Sequence, residues 1–214
     1  MKKIAMFIAA AAMVATANAE PRTVITASKA QDNIYVGVNG GAITAVKGES
    51  SFKTFTPNFG IRVGKNFTTV LGVAVEGTAY FSTNRALNGK TFVQGVDVYG
   101  LATANLMNLF AGYKGQPRTF EVIAVGGFGY EWLFRPEFAN GKNSSRYASK
   151  IGADFAYNFG SDKQWQVYLE PTMNWALGNT GKADFLQYNI NNAGFALKAG
   201  VNYKFKTSNG THNF

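Results

Sequence analysis

The sequence predicts an all-β protein, an eight-stranded antiparallel up-and-down transmembrane β-barrel, and three observations favour this fold class. Glycine and aromatic residues are frequent, with 24 Gly and 14% aromatic residues, as is typical of barrels and sandwiches. Apolar and polar residues alternate in repeated segments, which is the period of a β-strand. After residue 19, every apolar run is interrupted within a few residues by Gly, Asn or a charge, so no transmembrane helix is expected.

In each predicted strand, apolar residues occupy one face, and charged residues share the other with small or polar side chains. The predicted strands are Ile34–Ala42, Asn58–Lys65, Val70–Phe81, Val93–Leu106, Thr119–Leu133, Arg146–Phe159, Trp165–Ala176 and Asn192–Phe205. Pro171 falls inside the seventh strand and cannot donate a ladder hydrogen bond. We therefore expect a bulge or a locally weakened pairing there.

The connections between the strands alternate in length. Those after strands one, three, five and seven are long and rich in Gly, Asn, Ser and Lys, whereas those after strands two and six are short. Transmembrane barrels have long loops on one side and short turns on the other, and an even strand number brings both chain ends to the side of the short turns. The long connection from Met107 to Arg118, after strand four, breaks this pattern.

Segments outside the barrel (33–205) are expected at both ends of the chain. Residues 1–19 have Lys2 and Lys3, an apolar run and Ala17-Asn18-Ala19, which predicts a secretory signal peptide. Its removal leaves 19 basic and 12 acidic residues, a formal charge of +7. Residues 20–32 are interpreted as a polar leader and residues 206–214 as a polar tail. The chain has no Cys, which excludes disulfides and a lipoprotein anchor.

The polar face of the predicted strands is expected to line the barrel. A soluble lipocalin-like barrel would instead point its apolar face inward around an apolar ligand, and it stays as an alternative. A barrel whose apolar face contacts lipid is favoured, because charged residues share the polar face and aromatic residues recur at the ends of the apolar faces. The residues expected in the lumenal charge network are Arg62, Glu76, Asp97, Glu121, Glu131, Lys150, Asp154, Glu170 and Lys198.

Opposite charges inside a narrow barrel should pair, because an unpaired buried charge is costly. The residues expected to pair are the cations Arg62, Lys150 and Lys198 with the carboxylates Glu76, Glu121, Glu131, Asp154 and Glu170. An eight-stranded barrel is just wide enough for side chains to fill it, which favours a polar plug. A narrow pore that passes ions is the alternative.

No catalytic, cofactor or metal site is expected. The single His, His212, lies in the polar tail. A hydrolase that uses His as its general base needs that His beside the nucleophile. With no Cys and one His, a transition-metal site is not expected. A basic protein could bind nucleic acid, but secretion makes nucleic acid the weakest partner.

The last predicted strand contains Lys198-x-Gly200-x-x-Tyr203-x-Phe205. This order resembles the sorting signal on the last strand of Gram-negative outer-membrane barrels. With the signal peptide and eight alternating segments, the chain resembles the porin-like outer-membrane β-barrel family, near the OmpA transmembrane domain and the OmpX-type small barrels. The resemblance implies an outer-membrane location, recognition by the barrel-assembly machinery and periplasmic termini.

The resemblance does not imply one role. A non-enzymatic, monomeric barrel with loops for surface interaction or envelope integrity is the first hypothesis, and a passive pore is the second. The surface partner is left open. Basic loop residues suited to lipopolysaccharide phosphates are Lys47, Lys53, Arg85, Lys90, Lys142 and Lys182. Solvated loop decoration is the alternative explanation of these charges.

Overall fold

The computed structural model describes residues 32–47, 55–81, 92–134, 144–179, 188 and 190–205. The strands are β1 (Ile34–Ala45), β2 (Thr56–Asn66), β3 (Leu71–Phe81), β4 (Val93–Asn105), β5 (Phe120–Leu133), β6 (Ser144–Phe159), β7 (Trp165–Asn179) and β8 (Ala193–Lys204). They form one closed antiparallel barrel in chain order, with β1 paired to β8. The predicted fold class is confirmed. The predicted signal peptide, the tail and all of the leader except Asp32 lie outside the described residues.

The barrel is polar inside and apolar outside. Along β3, the side chains of Leu71, Val73 and Val75 are exposed, whereas those of Ala74 and Glu76, which alternate with them, are buried. Successive side chains of a strand point to opposite faces, so period-two alternation sorts the two classes between lumen and exterior. Arg62 on β2 is likewise buried between two exposed aliphatic residues.

The end of the barrel at which β1 begins and β8 ends is called the terminal end, and the other is called the far end. Two short turns lie at the terminal end, between β2 and β3 and between β6 and β7. In the first turn, the Thr68 hydroxyl accepts hydrogen bonds from the backbone N–H groups of Val70 (3.2 Å) and Leu71 (2.8 Å). In the second, Gly160 has a φ of 93°, which glycine adopts without strain.

A short helix, α1 (Leu106–Ala111), follows β4 at the terminal end. Its N-cap is Asn105, whose side-chain oxygen accepts a hydrogen bond from the Asn108 backbone N–H at 3.0 Å. Strand four therefore ends one residue before its predicted end, because the Asn105 side chain begins a helix there. A second short element is a 3₁₀ helix at Ile190–Asn192. Among the described residues, no helix is long and apolar enough to cross a membrane.

Pro171 weakens the pairing of β6 and β7 without a bulge. The register is the same on both sides of it, from Gly152 opposite Thr172 to Phe155 opposite Leu169, but the ladder skips the two pairs between them. A proline has no N–H to donate, which accounts for the gap. The register shift of this strand pair lies instead at Tyr147 and Ala148, near the far end.

Candidate functional site

Six of the nine residues predicted to line the lumen meet at mid-height in the barrel. This central cluster consists of Arg62, Glu76, Lys150, Asp154, Glu170 and Lys198. The most exposed of the six is Asp154, at 4%. The period-two pattern places each on the inner face of its strand, and barrel closure brings five strands together around them.

Arg62 contacts all three carboxylates of the central cluster. Its Nε donates to Glu76 Oε2 at 2.7 Å, its Nη1 donates to Asp154 Oδ2 at 3.0 Å, and its Nη2 contacts Glu76 and Glu170. Arg62 and Glu76 are directly opposite on β2 and β3. The guanidinium carbon also lies 5.2 Å from the centre of the Tyr168 ring, within the range of a cation–π contact.

Glu76 accepts hydrogen bonds from four side chains. Its Oε1 lies 2.5 Å from Lys150 Nζ and 2.9 Å from Lys198 Nζ, and its Oε2 accepts from Arg62 and, at 3.2 Å, from Asn39. Lys150 Nζ also lies 3.3 Å from Glu170. Three cations and three carboxylates balance in formal charge, which offsets the cost of taking each ion out of water.

Glu121 lies apart from the central cluster, so its predicted pairing with Arg62, Lys150 or Lys198 is wrong. Its cation is Lys204, whose Nζ lies 3.9 Å from Glu121 Oε2. Its closer partners are the side-chain amides of Asn105 at 2.9 Å and Asn158 at 2.7 Å. Glu121 is the second residue of β5, so it lies near the terminal end, where these partners end their own strands.

Near Glu121, amide side chains form a hydrogen-bonded chain along the inner wall of β6, β7 and β8. Gln166 donates to Asn158 at 2.9 Å, Asn202 donates to Gln166 at 2.9 Å, and Lys204 donates to Asn158 at 3.1 Å. The members of this terminal cluster are Asn105, Glu121, Asn158, Gln166, Asn202 and Lys204. The cluster therefore closes the terminal end with amides and one ion pair.

Glu131 and Asp97 lie toward the far end, and the predicted pairing of Glu131 with the three central cations is also wrong. Glu131 lies opposite Asp97 on β4 and Arg146 on β6, and Arg146 Nε donates to it at 2.6 Å. This pair is only part-buried, with side chains 35% exposed for Arg146 and 15% for Glu131. Asp97 accepts a hydrogen bond from the Tyr80 hydroxyl at 2.5 Å.

Two cations of the lumen, Lys204 and Arg146, were missing from the predicted network. Both lie on the polar face of their strands by the same period-two pattern that selected Lys198 and Lys150. Their position on the polar face of a strand was therefore enough to identify both as lumenal residues. The carboxylate with which each cation pairs depends on the height of both residues in the barrel. The alternation of apolar and polar residues does not predict that height.

The central cluster separates two cavities. The cavity toward the far end has a volume of about 460 Å³, and Tyr80, Tyr99, Glu131 and Arg146 are among its lining residues. The cavity toward the terminal end has a volume of only about 30 Å³ and lies against Glu121 and Lys204. Side chains thus fill the barrel most tightly from its middle to its terminal end.

The four residues of the predicted sorting signal divide between the two faces of β8. Lys198 is buried in the central cluster, and a Cβ at Gly200 would overlap the Tyr168 ring, so a larger residue there would displace that ring. Tyr203 and Phe205 face outward, with ring centres 5.3 Å apart. The pattern thus combines two lumenal contacts with two exterior aromatic rings.

Within the described residues, no group of three or more His, Cys, Asp or Glu side chains is placed to hold a metal ion. His212 and the loop cations Lys53, Arg85, Lys90, Lys142 and Lys182 lie outside those residues. The remaining predicted loop cation, Lys47, is exposed just beyond β1 at the far end.

No protein-family model and no curated protein matches the chain. The crystal structure of Neisserial surface protein A is similar, with a TM-score of 0.58 and 14% identity, covering 81% of this chain and 98% of that one. The N-terminal β-barrel domain of Pseudomonas aeruginosa OprF has a TM-score of 0.51 and 11% identity, covering 81% of this chain and 98% of that one. The chain therefore has the fold of the small outer-membrane β-barrels, as its resemblance to the OmpA and OmpX type implied.

Proposed function

We propose that this chain is an integral outer-membrane β-barrel with a plugged lumen. The observation that carries the proposal is the inverted distribution of side chains. Ile61, Val75 and Ile151 are 56%, 57% and 59% exposed on three different strands, while Arg62 and Glu76 are 1% and 0% exposed inside. Such an exterior suits the hydrocarbon core of a membrane, because the free energy of apolar side chains is higher in water than in an apolar environment.

The extent of the apolar exterior supports lipid as its environment. Exposed large apolar side chains occur on all eight strands, from Val38 on β1 to Leu197 on β8. Soluble monomers rarely expose contiguous apolar patches larger than a few hundred Å². The alternative of a soluble apolar-ligand binder needs an apolar interior, and the ionic central cluster occupies that space instead.

The way the carboxylates are held supports a non-enzymatic role in this proposal. Glu76, Glu121 and Glu170 each contact cations or amides inside the barrel, which suits charge balance better than acid–base chemistry. A narrow pore remains the second candidate, and the 460 Å³ cavity at the far end is the observation in its favour. The central cluster opposes it, since all ions crossing the lumen must pass those six side chains.

In this proposal, the terminal end faces the periplasm and the far end faces outward, as the short turns at the terminal end favour. One protein of similar structure is named Neisserial surface protein A, and a surface location is in line with a far end that faces outward. The barrel-assembly machinery would recognise the Lys198, Gly200, Tyr203 and Phe205 pattern. The barrel would act as a monomer in contact with lipid and lipopolysaccharide, and its outer loops would serve surface interaction or envelope integrity. We expect no cofactor and no nucleic-acid partner.

Membrane fractionation followed by SDS gel electrophoresis with and without boiling tests this proposal. The account predicts recovery in the outer-membrane fraction and a folded band whose mobility changes on boiling, because a closed hydrogen-bonded barrel resists SDS until heated. Recovery as a soluble monomer without a mobility change would overturn the assignment of the apolar face to lipid.

A further inference from the structure

Aromatic side chains cover the outside of only half of the terminal end. On β5 to β8, this edge has a continuous row whose members are Phe120, Tyr157, Phe159, Trp165, Tyr203 and Phe205. Three pairs within the row have ring centres close together: 4.9 Å for Trp165 and Tyr203, 5.3 Å for Tyr203 and Phe205, and 6.5 Å for Tyr157 and Phe159. Aromatic rings at the rims of a membrane barrel lie at the lipid headgroups.

Within the strands of the other half of this edge, no outward-facing side chain among the described residues is aromatic. The outward residues nearest the terminal end on β1 to β4, all of them described, are Ile34, Val36, Val63, Lys65, Leu71, Val73, Ala102 and Ala104. Two phenylalanines lie beyond these strand ends. Phe67, in the β2–β3 turn, is 55% exposed, and Phe110, in α1, is 78% exposed.

Polar contacts hold α1 firmly against the barrel. The side-chain amide of Asn108, itself 2% exposed, donates to the Thr69 carbonyl at 2.8 Å. At the other end of the helix, Arg118 Nη2 donates to the carbonyls of Ala111 at 3.0 Å and Gly112 at 2.6 Å. A six-residue helix is too short to be stable alone, so these contacts fix both it and its exposed ring.

The geometry of α1 directs Phe110 away from the barrel mouth. Residues of an α-helix are about 100° apart around its axis, so Phe110 lies about 200° from Asn108. Asn108 is buried against the β2–β3 turn, and Phe110 is therefore on the opposite side of the helix. A firmly held apolar ring that contacts no core is suited to an apolar environment outside the protein.

We propose that α1 is a membrane-interface anchor: Phe110, with Phe67, inserts at the boundary between headgroups and acyl chains and completes the aromatic ring on the β1–β4 half. The inference rests on the proposed membrane location and is continuous with the aromatic row of β5 to β8. A nearby cation suits phospholipid phosphates, since Lys65 Nζ lies 6.0 Å from the centre of the Phe67 ring.

Single-cysteine labelling tests the anchor, because the natural chain has no Cys. The variants Phe110→Cys, Phe67→Cys, Phe128→Cys and Lys114→Cys are labelled with an environment-sensitive fluorophore in phosphatidylcholine vesicles. The lipids contain bromine either near the headgroups or deep in the chains. Phe128, exposed in the middle of β5, is the control for deep lipid, and Lys114 is the control for water.

For Phe110→Cys and Phe67→Cys, we expect emission shifted to the blue of Lys114→Cys, with stronger quenching by shallow bromine than by deep bromine. Phe128→Cys should show the reverse preference. If position 110 behaves like position 114 while position 128 is quenched by deep bromine, the anchor is wrong and the membrane barrel stands. If position 128 also reports water, the proposed membrane location fails, and the anchor fails with it.

Discussion

The central cluster and the terminal cluster both fill the lumen, but they do so with different chemistry. The central cluster packs six formal charges together, and one of them, Glu76, contacts three cations directly. The terminal cluster contains one carboxylate and one cation at 3.9 Å, and amide side chains make its shorter contacts. Ion pairs close the middle of the barrel, whereas hydrogen bonds of amide side chains, several of them to the single ion pair, close its terminal end.

This difference shows how burial and charge density determine the cost of removing one group. In the central cluster, four of the six ions each contact two or three opposite charges away from water, so the loss of one leaves others uncompensated. In the terminal cluster, a lost charge leaves most hydrogen bonds in place. At Glu131 and Arg146, near the far end, partial exposure lets water replace a lost partner.

Replacing the central carboxylate should have the largest effect. Glu76→Gln removes the shared partner of Arg62, Lys150 and Lys198, and we expect it to lower the free energy of unfolding by about 3–5 kcal/mol. Urea unfolding of the protein in lipid vesicles measures this change. The matched control, Glu131→Gln, should cost no more than about 1 kcal/mol because its ion pair is part-exposed. Equal losses in the two variants would contradict the distinction between them.

The terminal cluster should show an intermediate loss. Glu121→Gln keeps the shape of the side chain and one carbonyl acceptor, but it leaves Lys204 buried without its carboxylate. We expect the free energy of unfolding to fall by about 1–3 kcal/mol, measured by the same unfolding experiment. A loss as large as that of Glu76→Gln would show that the terminal ion pair is stronger than its 3.9 Å separation indicates.

Salt should have the smallest effect on stability. It should weaken the part-exposed pair of Glu131 and Arg146 more than the central cluster. The Debye length falls from about 10 Å at 0.1 M to about 3 Å at 1 M ionic strength, and screening reaches exposed charges more than buried ones. The stability difference between the natural chain and Glu131→Gln should therefore shrink in high salt. The difference for Glu76→Gln should persist. Equal shrinkage of both differences would indicate that solvent ions reach the central cluster.

Alternation was enough to predict the strands and which side chains face inward. Arg62, Glu76 and Lys198 lie on the inner face of their strands for this reason, and no other information was needed. Pairing was harder, because partners across a barrel are set by the stagger of its strands. Arg62 contacts Glu170, which is 108 residues away in the chain, while Glu131 pairs with the adjacent-strand Arg146.

The helix α1 shows a second limit of the sequence. The six residues of α1 are too few to show a helical period in the sequence. Leu106 also continues the alternation of apolar and polar residues along β4. The capping side chain of Asn105 was the local signal, but asparagine is also common in turns. The contact that fixes the helix on the barrel, from Asn108 to Thr69, joins residues 39 positions apart and exists only once the strands have paired.

The most direct test of the account is single-channel recording of the purified, heat-modifiable protein in a planar lipid bilayer. If the central cluster closes the lumen, the natural chain should produce no discrete current steps. Reproducible steps of uniform size in the natural chain, changed in size by Lys150→Gln, would contradict the account, because they would place an ion path through the six side chains that are proposed to block it.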